Sequence, residues 1–304
     1  MIEIRHILHP VKSAKGLYTR GRRAYDRQML SYYKNLSNRI ASKMQRGSVS
    51  KCWCGGDLKS LATNAEYSIC IDCGCYVNTR PPLPEGLKEF YSLDGYWRIA
   101  QKAYSTPPIE KRGELYRSDG RLDYWLDLVK RYAPKPCSAI EVGCAPGVLL
   151  SELARRGYRC VGVEPHNSTA QWIRQNVGVD VREGTFPEIE LPKCDLFLSF
   201  DVAEHTPTPL GFWSGIAGLL NPGGVAILQT PIERSDYENP FKDRPDFFDG
   251  IQHLYLYSDK SVEKLTRLAN LELVVIEDAI STLGQTCVLR KPLAAMRDHK
   301  PLAV

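Results

Sequence analysis

From Ser138 to Leu289 the chain alternates short apolar runs with segments of helical periodicity, and this alternation restricts the fold more than any other feature. Ser138 to Gly143, Arg159 to Val163, Val179 to Arg182, Cys194 to Phe200 and Val225 to Gln229 read as strands. Val148 to Arg156, Ser168 to Asn176 and Leu210 to Leu220 read as helices between them, the last stopped by Asn221-Pro222-Gly223-Gly224. A helix over Ser258 to Ala269, with Ser258 as N-cap and Glu263 in its early turns, and strands near Leu271 to Ile276 and Gln285 to Leu289 complete the series. Strands joined through helices pair in parallel and are covered on both faces, so the pattern predicts an α/β fold with a doubly wound, mostly parallel seven-stranded sheet. Ligands of such sheets bind beyond the carboxyl ends of the strands.

At that end the chain reads Ile140-Glu141-Val142-Gly143-Cys144-Ala145-Pro146-Gly147-Val148-Leu149-Leu150, a strand entering a turn of small residues and then a helix. Small side chains let a ligand approach the backbone, and a helix N-terminus presents free amide donors. Glu164 follows at the end of the next strand, where a carboxylate can accept hydrogen bonds from ribose hydroxyls. Without a ligand the same residues would make a tight turn and an ordinary surface Glu.

The N-terminal third is organised differently. Residues 1 to 51 carry 12 Lys and Arg against Glu3 and Asp26, a net charge of +10, whereas the remainder is mildly acidic. Tyr25, Met29, Tyr33, Leu36, Ile40 and Met44 make one stripe of a helix. Residues 1–50 thus form a basic amphipathic arm, which either packs on the body with a solvated face or docks on an anionic membrane surface or polyanion. Residues 51–80 hold Cys52-Trp53-Cys54-Gly55 and Cys70-Ile71-Asp72-Cys73-Gly74. Two cysteine pairs, each followed by Gly, suit tetrahedral thiolate binding of a structural zinc by Cys52, Cys54, Cys70 and Cys73. The first pair is one residue short of the usual knuckle, which leaves Cys75 as a competing ligand; a metal-free ribbon and redox thiols are the alternatives. A closed four-thiolate site has no catalytic role. Cys137, Cys144, Cys160, Cys194 and Cys287, scattered through apolar stretches, read as buried free thiols. A stiff Thr79 to Pro84 linker opens an aromatic-rich stretch at 81–134, where Phe90, Tyr91, Tyr96, Trp97 and Tyr104 form core or line a pocket, and a helix spans Leu115 to Tyr132. A ligand-binding domain at 135–292 and a tail at 293–304 complete the division.

The ordered blocks resemble a known family, the class I S-adenosylmethionine-dependent methyltransferases, in the branch that holds ubiquinone-biosynthesis O-methyltransferases and sugar and natural-product methyltransferases. The resemblance covers about residues 110 to 290 and rests on the glycine loop with four further blocks. These are Val163-Glu164-Pro165, Phe200-Asp201-Val202-Ala203-Glu204-His205, Leu220 to Val225 with Thr230-Pro231, and His253 to Ser258. Some members also carry an N-terminal cysteine ribbon. Ala145 stands where the family usually has Gly, and Ile232 where Asn is common after Thr-Pro. The resemblance implies a Rossmann-like domain in which Glu141, Gly143, Ala145 and Gly147 hold the methionine end of S-adenosylmethionine. Glu164 then takes the ribose, Pro165, Thr185 and Phe186 flank the adenine, and Phe200 and Asp201 shape the floor near the sulfonium. His205 and His253 are the candidate bases for a hydroxyl or acidic-carbon acceptor, with Glu204 or Asp201 orienting His205; a lone His is more often structural than catalytic.

The expected activity is therefore methyl transfer to a small-molecule, sugar or glycoconjugate acceptor. RNA methylation through the ribbon and basic arm is one alternative, disfavoured by the acidic body and by Phe200-Asp201-Val202-Ala203 in place of an Asn/Asp-Pro-Pro-aromatic block. A non-catalytic cofactor-binding protein is the other. No secretory leader pattern opens the sequence, so the expected location is cytoplasmic, peripheral at a membrane if the arm docks there, with an organellar transit peptide as the alternative.

Overall fold

A computed structural model describes residues 16–62, 64–233, 247–280 and 284–293, with side chains from Met29 onward. The beginning of the arm, Asp243 and Asp246 of the acidic segment before His253, and nearly all of the tail lie outside the described residues. Among those described, no helix is long and apolar enough to cross a membrane.

Seven strands form the main sheet: β4 (Ser138–Val142), β5 (Arg159–Glu164), β6 (Val181–Glu183), β7 (Cys194–Phe200), β8 (Leu220–Thr230), β11 (Glu272–Asp278) and β12 (Gln285–Arg290). Their order is β11-β12-β8-β7-β4-β5-β6, with β12 antiparallel to both its neighbours and the rest parallel. The chain winds outward from β4 through β5 to β6 and returns to the other side of β4 as β7, so a crevice opens at the carboxyl ends of β4 and β7. Helices α6 (Val148–Arg155), α7 (Asn167–Val177), α8 (Pro209–Leu219) and α9 (Asp259–Leu268) alternate with the strands. Cys194 to Phe200 is buried almost throughout, as a strand covered on both faces must be. Asn221 to Gly224 ends α8 and loops out of the β7–β8 ladder, which resumes at Leu196 and Val225. Ser258 caps α9 in a reciprocal box, with Ser261 rather than a Glu at the third position.

Two differences from the sequence pattern bear on the site. The single helix expected over Leu115 to Tyr132 is two, α4 (Ile109–Ser118) and α5 (Arg121–Tyr132). Gly120 between them takes φ +84°, and the Asp119 carboxylate accepts from the Arg121 amide and guanidinium, so the chain turns where apolar periodicity runs on. The cysteine ribbon does not stand apart. Its strands β1 (Leu58–Ser60), β2 (Tyr67–Cys70) and β3 (Tyr76–Asn78) continue into β10 (Tyr255–Ser258) and β9 (Ile232–Glu233) as a five-stranded sheet. β3 pairs with β10 antiparallel, Tyr255 opposite Val77, so residues 51–80 and the stretch before α9 share a core that runs on into the main sheet.

The helix α1 (Gly16–Ser42) occupies the arm, and Tyr33 receives a hydrogen bond from Lys102 at 3.1 Å. Helix α2 (Pro84–Phe90), a π-helical segment Leu93–Ala100 and the short α3 (Gln101–Ala103) carry the aromatic stretch across the mouth of the crevice.

Candidate active site

The crevice is a cleft of about 370 Å³ at the carboxyl ends of β4, β5 and β7. Gly143, Ala145, Glu164, Pro165, Thr185, Phe186, Phe200, Asp201 and His205 all line it. Gly143 leaves β4 with φ +72°, and a Cβ there would stand 2.4 Å from the Val202 side chain, so any other residue would push the loop out of the cleft. Gly147 caps α6 with φ +85° against Ile173; it shapes the turn from behind and is not part of the lining. The Glu164 carboxylate, only 4% exposed, accepts the Ala145 amide at 2.7 Å through Oε1. Burial raises its pKa to about 7, with the Ala145 bond opposing the shift. Glu141 is also buried, lies outside the lining, and holds Oε2 without a hydrogen-bond partner among the described residues. Burial and then the nearby Glu164 carboxylate drive its pKa well above the ordinary value.

Asp201 sits just past β7 with φ +57°, a conformation Asp tolerates better than most side chains, and its Oδ1 accepts Gln229 Nε2 at 2.9 Å. Phe200 beneath it packs on Trp125 at 4.6 Å between ring centroids. Glu204 and His205 follow in a short 3₁₀ turn, Ala203–His205. Glu204 is 1% exposed and accepts Thr230 Oγ1 at 2.9 Å; burial, then Asp201, lift its pKa to about 8. His205 donates from Nδ1 to Gln252 O at 2.8 Å, its Nε2 lies 3.8 Å from Glu204 Oε1, and burial lowers its pKa. His253, from the loop before β10, lies outside the cleft lining but stacks on His205 at 5.0 Å and donates from Nδ1 to Phe247 O. Residues 48 apart in sequence are thus brought together, with Glu204 beneath.

The aromatic stretch, expected to form core or line a pocket, does both, whereas Arg112 and Tyr116 were not marked by any sequence motif. Tyr91, Tyr96 and Trp97 from the aromatic stretch, with Arg112 and Tyr116 from α4, complete the lining, and Trp97 packs in one cluster with Ala145 of the glycine loop. Phe90 is buried core and Tyr104 is half exposed, so the stretch serves both packing and lining. Arg112 donates to Tyr116 Oη at 3.1 Å, yet its Nη1 and the Tyr91 hydroxyl are buried without partners among the described residues. The i, i+4 spacing of Arg112 and Tyr116 was a signal that they share a helix face, but nothing local says which face is inward.

In the ribbon, the ligand atoms of Cys52, Cys54, Cys70 and Cys73 lie within 4.8 Å of one another, with Cys52 to Cys73 and Cys54 to Cys70 at 3.6 Å. Tetrahedral zinc with bonds of about 2.3 Å sets sulfurs about 3.8 Å apart, so the four thiols fit that ion. Cys75 points elsewhere, its Sγ 3.4 Å from Leu256 O. All ten cysteines are free of disulfides, and Cys137 and Cys160 are only partly buried.

For S-adenosylmethionine the fit rests on the chain's own atoms. The ends of the cleft hold a buried carboxylate at Glu164, a loop whose Gly143 admits no Cβ, and the unpartnered polar atoms of Arg112 and Tyr91. Such atoms are costly to bury alone, and a ligand in the cleft would satisfy them.

The chain is 29% identical over 110 residues to a ubiquinone biosynthesis O-methyltransferase of Methylocella silvestris, covering 33% of this chain and 43% of that protein. It is 26% identical over 152 residues to the protein of that name from Hahella chejuensis, covering 47% and 60%. It therefore spans about half the length of the curated relatives it matches. Human N-acetylserotonin methyltransferase, solved in complex with SAM, shares the fold at a TM-score of 0.52 and 14% identity, over 67% of this chain and 57% of that one. Residues 116–276, more than half of the chain, match the family described as a methyltransferase domain, and the chain belongs to that family.

Proposed function

We propose that this chain is an S-adenosylmethionine-dependent methyltransferase acting on a hydroxyl of a small-molecule or carbohydrate acceptor. The observation that supports it best is the Glu164 carboxylate, buried at the end of β5 and braced by the Ala145 amide, in the same cleft as His205. In this reading Glu164 binds the ribose hydroxyls, Pro165, Thr185 and Phe186 enclose the adenine, and the Gly143 turn with Asp201 holds the methionine end. The sulfonium supplies an already activated methyl group. What remains for the chain is to align the acceptor, exclude water and receive a proton.

Tyr91, Tyr96 and Trp97 supply the apolar wall that keeps water from the transfer. His205 is placed to receive the acceptor's proton. Its Nδ1–H is committed to the Gln252 carbonyl, so the neutral ring keeps its lone pair on Nε2, and the lowered pKa keeps it neutral near pH 7. His253, stacked on it, orients the acceptor. The ribbon, closed by four thiolates, takes a structural zinc and no part in the chemistry.

Calorimetry with S-adenosylmethionine tests the assignment: binding to the wild type that is strongly weakened in Glu164→Ala agrees, and equal affinity for both overturns it.

A further inference from the structure

Among the described residues, two groups of metal-ligating atoms converge: the ribbon thiols, and Glu204 with His205 and His253, whose ligand atoms lie within 4.8 Å of one another. The second group is assembled in the manner of a ligand set. Each imidazole is fixed by a backbone carbonyl, His205 by Gln252 O at 2.8 Å and His253 by Phe247 O at 2.6 Å. A carbonyl can only accept, so both neutral rings carry their proton on Nδ1 and leave Nε2 bare, the tautomer that such carbonyls select in metal-binding histidines. The rings stack at 5.0 Å and 27°, which holds them as a pair. Glu204 is fully enclosed, spends Oε2 on the Thr230 hydroxyl and turns Oε1 toward His205. Its one ion-pair neighbour among the described residues is that imidazole. A single general base needs neither the second oriented imidazole nor the buried carboxylate.

We propose that Glu204, His205 and His253 bind one divalent first-row cation at the edge of the cleft, beside His205, and that this ion receives two neighbouring oxygens of the acceptor. Two imidazoles and one carboxylate leave open positions on a six-coordinate ion, and a vicinal diol or catechol fills two of them. Coordination acidifies the hydroxyl, so with the ion bound His205 Nε2 is a ligand, and the proton-accepting role given to it above belongs to the ion-free chain. The hydroxyl releases its proton to water, an oxygen lone pair forms the bond to the methyl carbon, and the breaking carbon–sulfur bond leaves its pair on sulfur as a neutral thioether. The acceptor role rests on the methyl-transfer reading above; the ion site itself does not.

The test uses the full chain with Mn²⁺ alone, an ion that thiolates bind poorly, so the ribbon does not compete. Titration followed by electron paramagnetic resonance should show one bound Mn²⁺, weakened at least tenfold in His253→Ala and in Glu204→Gln. Calorimetry with S-adenosylhomocysteine on the same samples reports whether the cleft is intact. A wild type that binds no Mn²⁺ up to millimolar concentration overturns the site, as does equal binding by wild type and His253→Ala. Mn²⁺ binding without any S-adenosylhomocysteine binding leaves the site standing and overturns the methyl-transfer reading instead. With an active acceptor in hand, activity indifferent to chelation returns His205 to the role of base.

Discussion

Glu164 shows how much one side chain can be asked to do. Two ribose hydroxyls donating to a buried carboxylate make charge-assisted bonds, so Glu164→Ala should weaken cofactor binding by about 2 to 4 kcal/mol, tens to hundreds of fold. Its pKa of about 7 adds a pH dependence. The ionised form accepts the hydroxyls, so cofactor affinity measured by calorimetry should fall as pH drops below about 7 and level off above it. The linked effect on stability has the opposite sign: the folded state holds this proton more tightly than the unfolded chain, so the contribution is full at acid pH and is lost as pH rises through about 7. His205→Ala should lower kcat with cofactor affinity kept, since His205 touches the acceptor end of the cleft and not Glu164. At this scale Gly143 and Glu164 were readable because turn and carboxylate follow strand ends in a fixed order. Arg112 was not, because α4 offers Lys111, Arg112 and Arg117 and only the packing of the whole helix decides which one is buried.

Elements with a local signal were readable for the same reason. β7 and α9 carry their boundaries in their own residues, a mostly apolar run in one and Ser258 as cap in the other. The pairing of β3 with β10 joins strands about 180 residues apart and leaves no local trace, so the ribbon read as a separate module. Its folding should depend on metal, because strands of three and four residues bury too little apolar surface alone. About one equivalent of zinc should therefore copurify, and Cys70→Ser should lose it; chain purified without chelator and free of zinc would contradict this. Helix α1 behaves differently, being held through Tyr33 and, beyond its end, through Arg46, which donates to the carbonyls of Arg80 and Gly250. Deleting residues 1 to 28 spares these contacts. Cofactor affinity should be unchanged, while retention on anionic vesicles should drop by an amount that shrinks as salt is raised.

Across the whole molecule, the ribbon and the methyltransferase domain meet at the loop that carries His253, behind His205 of the cleft. Tyr67 of β2 donates its hydroxyl to His253 O at 2.6 Å and accepts the Gly250 amide at 3.3 Å, which fixes the loop that carries His253. The Cys73 carbonyl accepts the Ser258 hydroxyl at 2.7 Å, at the cap of α9. Among the described residues the Gly143 turn and Glu164 have no hydrogen bond with the ribbon; their partners are Val163, Ala145 and Gly184. Loosening the ribbon should therefore disturb one substrate and spare the other. Tyr67→Phe removes the hydroxyl and keeps the ring, which packs on Phe248 at 4.9 Å, so the fold should hold while His253 loses its anchor. Both hydrogen bonds of the hydroxyl are lost, each worth about 1 kcal/mol. Acceptor KM should accordingly rise severalfold with cofactor affinity unchanged, and Cys70→Ser, which also loses the metal, should show the same split more strongly. Equal losses for cofactor and acceptor would mean that the two sheets unfold as one unit and that the ribbon supports the whole cleft.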